Sequence, residues 1–271
     1  MRRAELDFAI AQAAREGWNP GLHDAECFYQ ADPQGYLVAK RGDQALGCLS
    51  AVSYGTFGFL GLYIVLPGYR GQGIGMQLWR NAMARLDGLC IGLDGVFERQ
   101  AMYQQSGFQF AWRNLRYRWQ SALPAPAIDA IVPLAEIPFE QLQHYDAPLF
   151  PAPRSAFLRA WIGQPDALTA AWRENGALHG YAVMRRCVDG WKIGPLFADS
   201  PAIADGLFRH LAAQALGQPV LLDVPEPNAA ALDLVARHGM VQVFGTARMY
   251  CNGMPALPLA RIFGITSFEL G

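Results

Sequence analysis

Residues 65–75 read VLPGYRGQGIG, and this stretch decides the fold. Its apolar start predicts a strand that ends before Pro67, and an amphipathic helix is predicted to begin at Ile74. The glycine-rich turn between them would leave successive backbone N–H groups unpaired and pointing the same way. Together with the positive end of the helix dipole, these groups form an anion site. Glycines suit the turn because side chains would hold the ligand away from the backbone.

Two common phosphate-binding motifs do not fit this turn. A P-loop requires GxxxxGK[ST], but the chain has only two lysines, Lys40 and Lys192, and neither lies here. A dinucleotide fingerprint requires GxGxxG, whereas the glycines here stand at positions 71, 73 and 75. The remaining interpretation is a pyrophosphate that backbone amides hold without a metal.

Composition limits the class of protein. The chain has 271 residues, which suits two domains, and its 22 basic and 23 acidic side chains nearly balance. A protein that coats nucleic acid needs a basic excess to neutralise phosphates, so we expect no nucleic-acid partner. The five cysteines stand singly without zinc spacing, and no apolar run suits a signal peptide or a membrane span. We therefore expect a cytoplasmic protein that binds neither metal nor membrane, and nothing indicates an oligomer.

The order of predicted elements occurs twice along the chain. Each half has a strand hairpin and a further strand, followed by a helix, a buried strand, a short helix and a closing strand. For example, residues 89–93 correspond to residues 220–224. The pattern predicts a mixed α/β (α+β) fold of two similar domains, residues 1–120 and 129–271, each a central mixed sheet flanked by helices. A Pro/Ala linker is predicted at residues 121–128.

The glycine turn also carries a family resemblance. Residues 70–75, RGQGIG, resemble the coenzyme A signature Q/R-x-x-G-x-G/A of the GNAT superfamily of N-acetyltransferases. Residues 102–108, MYQQSGF, resemble the closing L-Y-x-x-x-G-F segment of the same family. The second half is similar only in outline, because residues 198–202 read ADSPA where its phosphate loop should stand. The chain thus resembles bacterial tandem members, with a degenerate C-terminal domain that would help to form the acceptor site.

The resemblance implies acetyl-CoA as co-substrate and a small-molecule amine as acceptor, which attacks the thioester directly. The strand at Tyr63–Val65 would pair with the pantetheine arm, and the amides of the turn would hold the pyrophosphate. A backbone N–H near Val65 could polarise the thioester carbonyl. The implied cofactor-binding residues are Tyr63, Ile64, Val65, Arg70, Gly71, Gln72, Gly73, Ile74, Gly75 and Tyr103.

The catalytic residues are less completely indicated. Tyr103 matches the family's general acid, and a phenol suits that role because it keeps its proton at neutral pH; its alternative is simple aromatic packing. The family's strand glutamate has no counterpart, since residues 58–65 contain no carboxylate. Asp94 is the preferred substitute base, because we expect it at the end of the fifth strand beside the thioester. The open alternatives are a water chain, an amine that arrives neutral, Asp24, Glu26 and Glu98.

Acceptor-binding residues are predicted from two regions. The turn after the first helix usually covers the acceptor in this family, and the segment after the linker could reach the first unit. These regions contribute Trp18, Asn19, Asp24, Asp146 and Arg154. Arg154 would suit an acceptor with a carboxylate, whereas Asp24 or Asp146 would suit a cation.

Two other classes of function stay open on sequence grounds. The missing strand glutamate and the degenerate second unit would fit a non-catalytic sensor or regulatory protein that binds acyl-CoA. An interaction protein without coenzyme A is the least favoured class, because it would not need the intact glycine turn.

Overall fold

The computed structural model describes residues 1–120, 124 and 127–271. Most of the linker predicted at 121–128 therefore lies outside the described residues. Within them, helices flank a mixed sheet of twelve strands, so the predicted α/β class is confirmed. We refer to residues 1–120 as the first half and to residues 127–271 as the second half.

The elements of the two halves follow a similar order. The first half contains α1 (Arg3–Arg15), α2 (Asp24–Ala31), β1 (Tyr36–Arg41), β2 (Gln44–Ser53), β3 (Phe57–Val65), α3 (Ile74–Arg85), β4 (Cys90–Gly95), α4 (Gln100–Gln105) and β5 (Gln109–Trp119). The second half contains β6 (Ile131–Val132), α5 (Phe139–Asp146), α6 (Ser155–Ile162), β7 (Leu168–Glu174), β8 (Ala177–Arg186), β9 (Trp191–Ala198), α7 (Pro201–Ala212), β10 (Val220–Pro225), α8 (Ala229–Arg237), β11 (Val241–Cys251) and β12 (Ile262–Gly264).

The two halves exchange their closing strands. The sheet order is β1-β2-β3-β4-β11-β5-β10-β9-β8-β7-β6, with β12 beside β9. Strand β11 of the second half lies between β4 and β5 of the first and pairs antiparallel with both. Strand β5 in turn pairs antiparallel with β10. Each half therefore completes the sheet of the other, and the domain boundaries at 1–120 and 129–271 stay a prediction.

An opening separates β3 from β4. These parallel strands pair only from Phe57, opposite Cys90, to Leu60, opposite Leu93. Beyond Leu60 a bulge interrupts the pairing of β3 with β2, and Leu62 takes a positive φ of 48°. A bulge bends its strand and increases the local twist, which accounts for the divergence. The edge of β3 after Leu60 is consequently free of β4.

The corresponding opening in the second half is filled by the chain itself. Strands β9 and β10 pair only at Trp191–Ile193 and Val220–Leu222. Strand β12 then pairs with the last part of β9, and the N–H of Ile265 donates to the carbonyl of Asp223 on β10 at 2.9 Å. We call residues 262–271 the closing segment, and its first part, residues 262–265, occupies the place that stays open in the first half.

Buried ion pairs lie at the junction of the halves. In each pair a guanidinium meets a carboxylate at 2.6–2.8 Å, and all these side chains are at most 4% exposed. Removal of one partner from such a pair leaves an uncompensated buried charge, which is strongly destabilising. The pairs that join the two halves are Asp24–Arg185, Asp94–Arg248 and Arg116–Asp223.

Candidate active site

The glycine turn has the backbone geometry that an anion site requires. Gly71 and Gly73 have φ angles of 76° and 80°, and helix α3 begins at Ile74. Within the described part of the chain, the N–H groups of residues 71–73 have no backbone acceptor. The first N–H groups of a helix are also unpaired by geometry. The turn therefore presents a row of donors at the positive end of the α3 dipole.

Two predicted cofactor-binding side chains hold the turn itself. Arg70 donates to Glu16, the residue that follows α1, at 2.6 Å and to the carbonyl of Val65 at 2.8 Å. Gln72 donates to the carbonyl of Gly68 at 3.1 Å. Both side chains are thus engaged in shaping the turn, and the groups left for an anion there are backbone amides.

A cleft leads from the glycine turn into the opening between β3 and β4. It has a volume of about 520 Å³, and residues 60–65 of β3 line one side. Helix α4 contributes Met102 and Tyr103. The second half adds the residues Phe244, Thr246, Phe268 and Glu269. The cleft is therefore built by both halves, and the exchange of β5 and β11 brings the second half to it.

Tyr103 lies in the cleft with its ring held by aromatic neighbours. The rings of Trp79 and Phe108 lie 5.6 and 6.5 Å from it, centroid to centroid. At Gly95 a Cβ would stand 2.3 Å from Cε2 of Tyr103, so the ring rests on the backbone of β4. Burial raises the pKa of the Tyr103 hydroxyl to about 12. The hydroxyl keeps its proton at neutral pH, and no hydrogen-bond partner for it is found among residues 1–120, 124 and 127–271.

The prediction that Asp94 is the general base is not supported by the structure. Its carboxylate forms two hydrogen bonds with Arg248, at 3.0 and 2.6 Å. It also accepts hydrogen bonds from Asn114 at 2.8 Å and from Thr246 at 3.3 Å. Its side chain is fully buried, and these partners occupy both oxygens. Asp94 borders the cleft but joins β4 to β11 instead of offering a free base.

Of the acceptor-binding residues predicted on the first turn, only Trp18 lines the cleft. The side chain of Asn19 both donates to and accepts from the backbone of Asp189, at 2.9 and 2.8 Å. Asp24 is the first residue of α2, not a loop residue, and pairs with Arg185 at 2.8 Å while fully buried. These contacts correct the predictions for Asn19 and Asp24, because both side chains hold the two halves together.

The predictions for Asp146 and Arg154 are corrected in the same way. Arg154 makes two hydrogen bonds to Asp146, at 2.8 and 2.7 Å, and one to Thr266 at 2.9 Å. Both charges are buried and neutralise each other, away from the cleft. Of the other carboxylates considered as bases, Glu26 pairs with Arg3 on the surface and Glu98 is exposed.

Glu269 is the residue that the sequence-based predictions missed. It belongs to the closing segment, lines the cleft and is 3% exposed. Neither of its carboxylate oxygens has a hydrogen-bond partner in the part of the chain that the structure describes. Burial raises the pKa of Glu269 above its ordinary value. The available signal was an acidic side chain in an otherwise uncharged stretch, residues 262–271, but its position in the fold was not predictable.

The turn of the second half that corresponds to the glycine turn is occupied by protein groups. Asp199 accepts from Arg261 at 2.9 Å and contacts His179 Nδ1 at 3.0 Å. Ser200 caps α7 by accepting from the N–H of Ile203, and Pro201 has no N–H to offer. An anion would meet a carboxylate here in place of free amides.

Two parts of the chain match models of one protein family. Residues 5–108 match the acetyltransferase (GNAT) family, and residues 142–264 match an acetyltransferase (GNAT) domain. Together the matches span most of the chain. It therefore belongs to the GNAT superfamily, carries two GNAT domains in tandem, and is an acyltransferase in class.

Individual relatives agree with this assignment. The chain is 28% identical over 261 residues to the holothin acyltransferase of Pseudoalteromonas sp. (strain SANK 73390), covering 96% of this chain and 89% of that one. A proposed acetyltransferase from Pyrococcus horikoshii has the same fold, with a TM-score of 0.84 and 23% identity over 100% of this chain and 94% of that one. A tandem GNAT protein from the clavulanic acid biosynthesis pathway has a TM-score of 0.63 and 16% identity, over 93% and 94% of the respective chains.

Neither a membrane-spanning helix nor a metal site is seen among the described residues. No helix among them is long and apolar enough to cross a membrane. No group of three or more His, Cys, Asp or Glu side chains in the same residues could hold a metal ion.

Proposed function

We propose that the protein is an acetyl-CoA-dependent N-acetyltransferase that acts on a small-molecule amine. The observation that carries this proposal is one cleft that joins the glycine turn, the free edge of β3 and the Tyr103 hydroxyl. The alternative of a regulatory acyl-CoA-binding protein would not require a protonated phenol at the far end of that cleft. Five free cysteines fit a reducing compartment such as the cytoplasm.

Acetyl-CoA would lie along the first half. The amides of residues 71–75 would hold its pyrophosphate, with the α3 dipole favouring the negative charge. Tyr63–Val65 on the free edge of β3 would form hydrogen bonds with the amides of the pantetheine arm. The arm would thus pair with β3 as an additional β-strand pairs with a sheet edge. A backbone N–H near Val65 would then polarise the thioester carbonyl.

The amine would lie where the second half meets the cleft. Trp18, Phe244 and Phe268 supply apolar walls there, and the cleft volume of about 520 Å³ is in the range of small-molecule sites. The similar acyltransferase is named for holothin. This likeness supports a small-molecule acceptor for the present chain as well.

In the reaction, the amine nitrogen forms a bond to the thioester carbon, and the carbon–sulfur bond then breaks. Tyr103 gives its proton to the leaving thiolate. The resulting phenolate takes the proton that the new amide nitrogen loses, so Tyr103 is restored. A phenol with a pKa of about 12 is well suited to this exchange, because it is protonated before each turnover.

Release of coenzyme A from acetyl-CoA in the presence of a broad amine panel tests the proposal. We expect amine-dependent release together with an acetylated product of matching mass. Binding of acetyl-CoA without transfer to any amine would favour the regulatory alternative. Absence of binding, read as no thermal stabilisation by coenzyme A, would favour the interaction protein.

Gly73→Ala is expected to weaken coenzyme A binding by about 5- to 30-fold. A side chain at the φ of 80° costs roughly 1–2 kcal/mol, so the turn would relax and its amides would diverge. Calorimetric titration with coenzyme A measures the change. Gly68→Ala is the matched control, because Gly68 has an ordinary φ and open space around it. Equal affinities for the two variants would contradict the role of the turn.

A further inference from the structure

The closing segment runs from the second half into the cleft of the first. After β12 fills the opening between β9 and β10, Thr266 is held by Arg154, and the carbonyl of Leu270 accepts from Tyr54 of the first half. Between these two attachments, Phe268 and Glu269 reach the wall of the cleft. The second half therefore supplies an aromatic and an acidic residue to the wall of a cleft whose glycine turn and phenol belong to the first.

Glu269 lies against the part of β3 where the strand leaves β4. A Cβ at Gly61 would stand 2.1 Å from the carbonyl oxygen of Glu269, so the closing segment touches the strand backbone there. Residues 58–65 of this strand contain no carboxylate of their own. The closing segment thus places a glutamate next to a strand that has no acidic residue of its own.

The charged groups around Glu269 each contact other groups, although Nη1 of Arg185 has no hydrogen-bond partner among the described residues. Lys192, Asp24, Arg116 and Arg185 act on it through their charges. Arg185 pairs with Asp24, Arg116 pairs with a neighbouring aspartate, and Lys192 donates to a backbone carbonyl at 2.8 Å. Within the described ranges, the oxygens of Glu269 are left without a hydrogen bond. A buried carboxylate in this state is suited to receive a proton or a cationic donor.

We propose that Glu269 is the general base that removes a proton from the ammonium group of the acceptor. This inference rests on the proposed N-acetyltransferase function. The carboxylate takes one proton from the ammonium nitrogen, and the neutral amine then attacks the thioester carbon. Glu269 returns that proton to solvent after each turnover, while Tyr103 handles the proton exchanged between the thiolate and the amide. One proton is released overall for each protonated amine that is acetylated.

The proposed role of Glu269 predicts the direction in which the rate changes with pH. A base must be ionised to act, so the rate rises with pH as Glu269 loses its proton. Because burial favours the neutral acid, the rate increases at a higher pH than it would with an exposed glutamate. The nearby cations Lys192, Arg116 and Arg185 oppose that shift, and Asp24 adds to it.

Glu269→Gln is the test, because glutamine keeps the shape and cannot accept the proton. With the best amine of the panel, we expect kcat/KM for the amine to fall by about 10²-fold or more, and its rise with pH to follow the deprotonation of the amine itself instead of that of Glu269. The affinity for coenzyme A and the Tm should stay close to those of the native protein, which shows that the fold is intact. Glu140→Gln is the matched control, because Glu140 is exposed on α5. It should leave the rate unchanged.

A second measurement separates a base from a structural glutamate. The loss caused by Glu269→Gln should shrink for an amine whose own pKa lies below the assay pH, because that amine arrives without the proton. A loss of equal size for all amines would overturn the proposal, and so would unchanged kinetics of Glu269→Gln in an active enzyme. Absence of transfer by the native protein to any amine would overturn the proposed function as well, so the two failures are distinguishable.

Discussion

Tyr103→Phe is expected to lower kcat by about 10²- to 10⁴-fold while the affinity for coenzyme A stays nearly unchanged. The phenylalanine ring keeps the contacts with Trp79 and Phe108 and loses only the proton donor. Because burial raises the pKa of Tyr103 to about 12, the loss should be similar at pH 7 and pH 9. Steady-state kinetics at both pH values, with calorimetry for coenzyme A, check this result.

Tyr117→Phe is the control for that experiment. Tyr117 lies on β5 and packs with the core of the second half, outside the cleft. Its substitution should leave kcat unchanged. If Tyr103→Phe turned over as fast as Tyr117→Phe, the phenol would be an aromatic packing residue and the assignment of the acid would be wrong.

Asp94→Asn is expected to lower the free energy of unfolding by about 3–5 kcal/mol. The substitution leaves the buried guanidinium of Arg248 without a counter-charge, at the strand pair that joins the first half to the second. Urea denaturation measures the loss. The double variant Asp94→Asn/Arg248→Met should recover part of the lost stability, because it also removes the buried guanidinium that has lost its counter-charge.

Asp87→Asn, at an exposed position of the first half, is the matched control and should leave stability within about 0.5 kcal/mol. An Asp94→Asn protein with native stability and an activity that no longer rises with pH would reinstate Asp94 as the base. The two outcomes distinguish an anchor from a catalytic carboxylate.

Local features of the fold were predictable because neighbouring residues determine them. Helix α3 begins at Ile74 and a glycine turn precedes it, as the sequence predicts. The strand predicted to end before Pro67 and the buried strand predicted at residues 220–224 also agree closely with β3 and β10. In each case hydrophobic periodicity and glycine positions carry the information, and both act over a few residues.

Long-range pairing was not predictable from the same patterns. Strands β5 and β11 have similar alternation, and nothing in that alternation says which half each one completes. Asp24 and Asp94 are predicted as site residues, because the sequence does not show that each pairs with an arginine more than 150 positions away. Glu269 was missed for the same reason, since only the path of the closing segment brings it to the cleft.

The exchange of strands gives the second half a part in the cleft of the first. Its own opening is filled by β12, and its phosphate turn is occupied by Asp199. It nevertheless supplies β11 and part of the cleft wall, including Glu269, to the first half. In the function we propose, one half binds acetyl-CoA and the other completes the place where the amine reacts.

Calorimetric titration of the native chain with coenzyme A tests this central claim most directly, because it counts the sites. We expect one molecule of coenzyme A per chain, with an affinity that Gly73→Ala weakens. Two molecules per chain would contradict the account. A single site whose affinity does not change in Gly73→Ala would contradict it equally.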